Sequence, residues 1–251
     1  MELSNQFWNS SLEEIKQGYI EEKEVYTCLL CGEKTEKGIV YPYKDRFYDA
    51  ERYMRIHIET EHISIFDYLL SMDKKLTGLT DHQKSLVQLF YQGKSDKDIQ
   101  KELDMGSTST IRHHRFALKE KERQAKTFLA IMELLKEKDE HAPAFVPVHK
   151  TATMVDDRYN ITGEEQEKIL KKYFPEGDGM PLAKFPPREK QRLIVLREIA
   201  SRLKPEHSYG EKELKHALKA IYEDYALIRR YLIDYGFLDR KPDGSEYWIK
   251  K

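Results

Sequence analysis

The chain has 251 residues, 39% hydrophobic and 35% charged, with a formal net charge of −1. That length suits two or three small domains with modest cores and busy surfaces. The balance excludes a uniformly basic nucleic-acid coat, and no apolar run approaches the roughly 20 residues that span a bilayer. The 16 tyrosines suit small cores, because the ring buries area while the hydroxyl stays wet. The opening MELSNQFWNSS has neither the basic n-region nor the apolar h-region of a secretory signal. The 2 cysteines share one Cys-x-x-Cys, which is not a secreted disulfide framework. A cytoplasmic protein without a membrane partner is expected.

In chain order, a short helix is expected over Ser11 to Ile20. Next, Glu24-VYTCLLCGEK reads as a strand and a cysteine-bearing turn, with a return strand through Lys37-GIVYPY. A helix follows from about Tyr48 to Ile63. Cys28 and Cys31 form the knuckle, and His57 and His62 stand about one helical turn apart, so both imidazoles are expected on one face. The pattern C-x2-C-x25-H-x4-H is zinc-ligand chemistry: two thiolates from a turn and two imidazoles from a helix close a tetrahedron. A pair of ordinary cysteines with two surface histidines is the bland alternative. A redox Cys-x-x-Cys is another, but no βαβ context supports it. In order and topology the segment resembles a C2H2 zinc finger, with a spacer about twice the usual length that requires an extra loop around Tyr41 to Phe47. A closed four-ligand site implies a structural Zn2+. The helix exposes the mixed set Glu51, Arg52, Arg55 and Glu59, which favours a structural or protein-contact role over base reading. Ile65, Phe66, Leu69 and Leu70 then mark an apolar helix.

The stretch Leu79 to Lys126 reads as three helices separated by tight breaks. Thr80 with Gln83 forms a capping box, Gly93 closes the first helix, Ser95 caps the second, and Ser107 or Ser109 caps the third after the Met105-Gly106 break. From Ser107 to Lys126 there are six basic side chains against two acidic ones, a local +4. Phosphate contact needs such a local excess. A solvated basic helix in a bundle is the bland alternative. Leu79-Thr80, Leu86, Leu89, Gly93, Ser95, Lys97-Asp98-Ile99, Leu103, Thr110-Ile111 and His114 resemble the DNA-binding domain of LuxR/NarL-type response regulators. Departures are His82-Gln83 where that family has Arg-Glu, Gln100 in place of a small residue, and one extra residue in the turn. The resemblance implies a helix-turn-helix whose third helix enters the major groove. Ser109, Thr110, Arg112, His113 and Arg115 would face bases or phosphates, with Lys97 and Lys119 on the backbone, and His114 would be buried.

No Gly or Pro interrupts the chain from Ser107 until Pro143, so the third helix is expected to run on to about Lys138. Ala125, Phe128, Met132 and Leu135 share a face there, where the related regulators place a dimer helix. A homodimer seam is expected. Residues 139–162 read as a linker with two prolines and no period.

A last domain is expected over residues 163–251. Thr162 and Glu165 form a capping box, and a Pro/Gly-rich loop follows, in which Gly177-Asp178-Gly179 is a turn and not a phosphate cradle. The next helix, Arg188 to Leu203, has Leu193, Leu196, Ala200 and Leu203 as its apolar face. A second helix, capped by Ser208, and a third, with Tyr225, Ile228, Leu232 and Tyr235 inward, lead to a hairpin around Pro242-Asp243-Gly244. Three helices and a hairpin make a winged helix. The segments GEEQEKILKKYF, KFPPREKQRLIVLREIASRL and IYEDYALIRRYLIDYGFLDRKPDGSEYW resemble the bacterial family called domain of unknown function 2087. That likeness implies a bacterial regulator context and no known reaction. Arg229, Arg230, Arg240 and Lys241 are candidates for a second DNA contact, although Glu211 to Tyr235 carries five basic and five acidic residues.

The expected architecture is mainly α: a small ββα zinc-finger-like module (1–75), a helix-turn-helix with a long C-terminal helix (76–138), a linker (139–162) and a winged-helix domain with a β-hairpin wing (163–251). The expected function is a dimeric, sequence-specific regulator of transcription that binds double-stranded DNA. The alternative is a non-enzymatic scaffold whose finger and winged helix bind partner proteins. No catalytic triad order, phosphate loop or open metal site favours an enzyme.

Overall fold

A computed structural model describes residues 2–177, 179–205 and 207–250, so Asp178 of the expected turn lies outside the described residues. The chain divides into two compact units: Met1–Thr77 together with Ala144–Lys251, and Gly78–Pro143.

The larger unit begins with α1 (Glu2–Asn9) and α2 (Leu12–Gln17). Ser11 and Glu14 cap α2 reciprocally, and Gly18 ends it at φ 84°, so the expected helix stops short of Ile20. Strands β1 (Tyr19–Glu21), β2 (Val25–Cys28) and β3 (Lys34–Glu36) form an antiparallel sheet in that order. The return strand is therefore short. Residues 37–43, expected to prolong it, instead turn into a separate hairpin, β4 (Tyr41–Tyr43) with β5 (Arg46–Tyr48), which takes up the long spacer. Asp49 caps α3 (Ala50–Glu61), and Ser64 caps α4 (Ile65–Ser71), with α5 at Lys74–Thr77. Phe7, Tyr19, Cys28, Leu29, Leu30, Met54 and Ile58 make this core, with Ile65 and Leu69 of α4 packed on it.

Residues 144–162 are not a free tether. Apart from one 3-10 turn at Asp157–Tyr159 they form no helix or strand, but their apolar side chains are buried: Ala152, Tyr159 and Ile161 lie in the C-terminal core, with Val146 and Val148 against it. Val146 N–H donates to Ile161 O at 2.7 Å, and Trp8 Nε1 donates to Val148 O at 2.7 Å. Gly236, at φ 80°, lets this strap pass: a Cβ there would lie 2.1 Å from Thr151 O. The zinc-finger-like module and the C-terminal region, expected as separate domains, thus share one unit.

The C-terminal region contains α9 (Gly163–Tyr173, with the expected capping box), α10 (Glu189–Ser201), β6 (Tyr209–Gly210), α11 (Glu211–Lys219), α12 (Tyr225–Asp234), β7 (Leu238–Arg240) and β8 (Glu246–Ile249). The sheet order is β6-β8-β7, antiparallel, with Tyr247 opposite both Tyr209 and Arg240. Gly210 occupies the N-cap of α11 where Ser208 was expected, because residues 209–210 join the sheet first. Helix α10 is buried more completely than one apolar face requires: Leu193, Ile194, Val195, Leu196, Arg197 and Ile199 are all covered. Each such aliphatic chain contributes about 1.5–3 kcal/mol.

The smaller unit holds α6 (Asp81–Tyr91), α7 (Asp96–Glu102) and α8 (Thr108–Lys136). Thr80 with Gln83, Ser95 and Ser107 cap them as read from the sequence. Leu86, Leu89, Ile99 and Ile111 form the core, with Phe90, Leu103 and Met105 against it. The 29 residues of α8 span about 44 Å at 1.5 Å per residue.

His149 reports on the fold through pH. It stacks on Phe237 at 4.0 Å, its Nε2 lies 2.9 Å from Tyr235 O, and its Nδ1 lies 3.4 Å from Tyr159 Oη. A carbonyl only accepts, so Nε2 carries the proton and Nδ1 accepts from the tyrosine. Burial pushes this imidazole from 6.5 down to about 4, against the backbone hydrogen bond to Tyr235 and with help from Arg197. The unfolded chain therefore binds a proton that the fold excludes. The contribution is complete above pH 6.5 and is lost as pH falls toward about 4; it amounts to up to about 3 kcal/mol. Urea denaturation of the parent and His149→Phe across that window should give a stability gap that shrinks on acidification. A gap independent of pH would show that His149 does not titrate this way.

Candidate metal centre and basic helix

β2 delivers Cys28 into a tight turn. Gly32, at φ 86°, reverses the chain, and its N–H donates to Cys28 O at 2.9 Å. Cys28 N–H donates to Glu33 O and Leu29 N–H to Gly18 O, both at 2.8 Å, so the knuckle is held on two sides. His57 projects from α3. His62 is not on the helix, as the spacing suggested, but is its C-cap residue at φ −121°, with its N–H donating to Ile58 O. The left-handed Ile63 (φ 63°) turns the chain away immediately afterwards. The two imidazoles consequently stand at 81° to each other rather than in parallel.

One ligand atom from each of Cys28, Cys31, His57 and His62 lies within 4.8 Å of the others, so the group could hold a metal ion such as zinc. Cys28 Sγ is 3.6 Å from His62 Nε2, and Cys31 Sγ is 3.1 Å from His57 Nε2. A tetrahedron with zinc–sulfur bonds of about 2.3 Å and zinc–nitrogen bonds of about 2.05 Å has a sulfur–nitrogen edge of about 3.6 Å. The donors therefore fit with a few tenths of an ångström of adjustment. Cys28 is held down at about 7, first by the hydrogen bond from the Cys31 thiol, then by the backbone N–H groups of Cys31 and Leu30 and the charge of Lys150, with burial opposing. Cys31 is pushed up by that same shared proton, and His57 is raised by its bond to Cys31. The pair thus favours one thiolate even with its other proton retained.

A residue invisible to sequence reasoning completes the surroundings. Lys150, 6% exposed, donates from Nζ to Leu29 O and Leu30 O, both at 2.8 Å, and lies over the rings of Phe7 and Tyr68. It comes from the segment expected to be a linker, and nothing in its neighbours, HKTAT, distinguishes it from a solvated lysine.

On α8, Ser109, Thr110, Arg112 and His113 are exposed, as is Lys97 on α7. Among the described residues, Arg112 and Lys97 have no ion-pair partner. Arg115 is otherwise engaged: its guanidinium contacts Asp96 Oδ1 at 3.0 Å and lies 3.7 Å from the Phe90 ring centroid, joining α8 to α7 and α6. Lys119 pairs with Glu122 on the surface at 2.6 Å. His114 is half-buried beside His82, and burial lowers it. Farther along, Ala125, Phe128 and Leu135 are exposed and Met132 is half-buried. Leu129, Ile131 and Leu134 are exposed too. They fall outside the single stripe read from the sequence. In the C-terminal region, Arg229 lies 3.6 Å from Glu211 and over the Tyr247 ring, Lys241 pairs with Glu246 at 2.8 Å, and Arg230 and Arg240 are exposed. No helix among the described residues is long and apolar enough to cross a membrane.

Cys28→Ser removes a thiolate from a buried turn. Because a metal bound only by the folded state contributes its binding energy to folding, the variant should lose the metal and melt well below the parent. Metal analysis alongside thermal unfolding checks this, and an unchanged melting temperature in a metal-free variant would refute it.

Residues 181–249, from the loop before α10 through β8, match the family described as an uncharacterized protein conserved in bacteria (DUF2087). The match begins later than the resemblance drawn from position 163. No curated protein and no solved structure matches the chain.

Proposed function

We propose that the protein is a dimeric, sequence-specific DNA-binding regulator of transcription, without enzymatic activity, that holds a structural zinc. The observation that carries this reading is the start of α8. Ser109, Thr110, Arg112 and His113 are exposed in its first turns, with the unpaired Lys97 on α7 in the same unit. A helix N-terminus directs N–H groups and a positive dipole outward, which suits phosphate. Exposed Arg and Ser/Thr there suit base edges. The succession of caps and breaks supports a LuxR/NarL-type helix-turn-helix. In the C-terminal region, the succession of helix, strand, two helices and a two-stranded return with order β6-β8-β7 supports a winged-helix reading. Of the four candidates there, Arg240 and Arg230, the latter over the Tyr231 ring, have no ion pair among the described residues, and this shorter set supports α8 as the primary reader. Four protein ligands leave a bound zinc no open position, so its role is structural.

The apolar second half of α8 supports a dimer. Phe128 is 64% exposed and Leu135 46% exposed. A second copy of the same helix would cover Ala125, Phe128, Met132 and Leu135 together with their exposed neighbours. The same face also favours the scaffold reading, in which α8 binds another protein and its basic residues are incidental.

Salt-titrated binding to DNA fragments separates the two. Arg112→Ala should cost about 1–3 kcal/mol and relax sequence preference, whereas Lys97→Ala should weaken all sequences alike and reduce the salt slope by about one. Arg115→Ala should lower stability as well as binding, because its contacts to Asp96 and Phe90 join helices. Binding undisturbed by Arg112→Ala combined with Lys97→Ala would favour the scaffold.

Dimerisation is tested separately. Phe128→Glu with Met132→Glu should convert a dimer to a monomer by light scattering. Equal masses for variant and parent would remove the seam.

A further inference from the structure

Between the knuckle strand β2 and helix α10 lies a cavity of about 390 Å³. That volume falls within the range of small-molecule sites, about 300–1,000 Å³. Its charge is one-sided: Lys34, Lys150, Arg197 and Lys250 line it, and no Asp or Glu does among the described residues. Lys150 is committed to the knuckle carbonyls. Arg197 is not comparably satisfied. It is 6% exposed, and its one hydrogen bond among the described residues runs from Nη2 to Pro147 O at 2.7 Å. A guanidinium stays charged in any protein, and a buried cation without a counter-charge is costly. A second buried polar group points the same way. Thr27, 1% exposed, also lines the cavity, and its Oγ1 has no hydrogen-bond partner. The lining also includes the apolar side chains of Leu203, Phe237 and Ile249.

We propose that this cavity binds a small organic anion, a carboxylate or phosphate on a compact apolar body, with Arg197 as its counter-charge and Lys34, Lys250 and the Thr27 hydroxyl as further donors. The planar guanidinium fork matches both oxyanions. The Thr27 hydroxyl can donate where it now has no acceptor. The apolar side chains of the lining can cover the body of the ligand, which a bare inorganic ion would leave uncovered. The lining comes from the knuckle strand, α10 and the end of β8, so the ligand would join the metal-binding module to the region that matches the bacterial family. This inference does not depend on DNA binding.

Calorimetry on the metal-loaded full chain, at fixed ionic strength in chloride, tests it with benzoate, phenyl phosphate, inorganic phosphate and the cation benzylamine. Benzoate or phenyl phosphate should bind in the millimolar range or tighter, inorganic phosphate more weakly, and benzylamine not at all. The preference between the two aromatic anions distinguishes a carboxylate from a phosphate ligand. Arg197→Met should abolish binding, and Lys34→Ala with Lys250→Ala should weaken it about tenfold, the worth of a charged hydrogen bond. Because Arg197 is buried, circular dichroism must accompany its variant. Should Arg197→Met unfold, the exposed lysine pair decides alone. Absence of binding by both aromatic anions, equal binding of benzylamine, or unchanged affinity in the lysine double variant would each overturn the proposal.

Discussion

The larger unit depends on one buried ammonium group. Lys150 donates to the carbonyls of Leu29 and Leu30, the two residues between Cys28 and Cys31. Burial pulls it down to about 8, while the thiols of Cys28 and Cys31 act in the opposite sense. Without this donor, two knuckle carbonyls would be buried in an apolar core with no partner of that strength, a loss of about 1–3 kcal/mol each. The contact is also a condition on geometry, since the carbonyls converge on Nζ only when the turn that presents both cysteines is formed. Metal-ligand placement and packing of the strap are therefore one event.

The neighbouring residue works in the other direction. His149 stacks on Phe237 and bonds to Tyr235, within the C-terminal core. His149 and Lys150 begin a turn closed by Ala152 N–H donating to His149 O at 3.0 Å, and their side chains make separate contacts. A two-residue stretch can thus attach the strap both to the metal-binding module and to the domain that follows. Trp8, through its bond to Val148 O, adds a third tie from the first helix. The cavity beside Arg197 is a consequence of this arrangement. Joining two small cores through a strap leaves space where they do not interdigitate, and here that space is lined by cations.

The smaller unit follows a different logic. Its core is a handful of side chains around Leu86, Ile99 and Ile111, and its helices rely on their caps, each worth about 1 kcal/mol. Much of the charge on α8 is internally neutralised: Lys119 with Glu122, Arg123 with Glu120 and Lys136 with Glu133, all one turn apart. Exposed pairs of this kind contribute little to stability. The +4 already subtracts Glu120 and Glu122, and the pair of Arg115 with Asp96 of α7 removes one more charge from what a phosphate backbone would meet.

Local chemistry carried the elements that depend on nearest neighbours. The capping boxes at Thr80 and Thr162, the Ser95 and Ser107 caps and the glycine breaks were legible because both partners lie within a few residues. So was the Cys28, Cys31, His57, His62 set, since few other demands produce that residue spacing. Long-range placement was not. His62 leaves the helix because Ile63 turns left-handed, residues 41–48 form their own hairpin after β3 ends at Glu36, and Arg115 turns to Asp96 rather than outward. Above all, the strap read as a linker, because two prolines and mixed polarity look like one. Burial of Lys150 and Arg197 is decided by partners 121 and 50 residues away in the chain, respectively. A charged side chain buried against carbonyls has the same sequence signature as one in water, so only the tertiary structure could tell them apart.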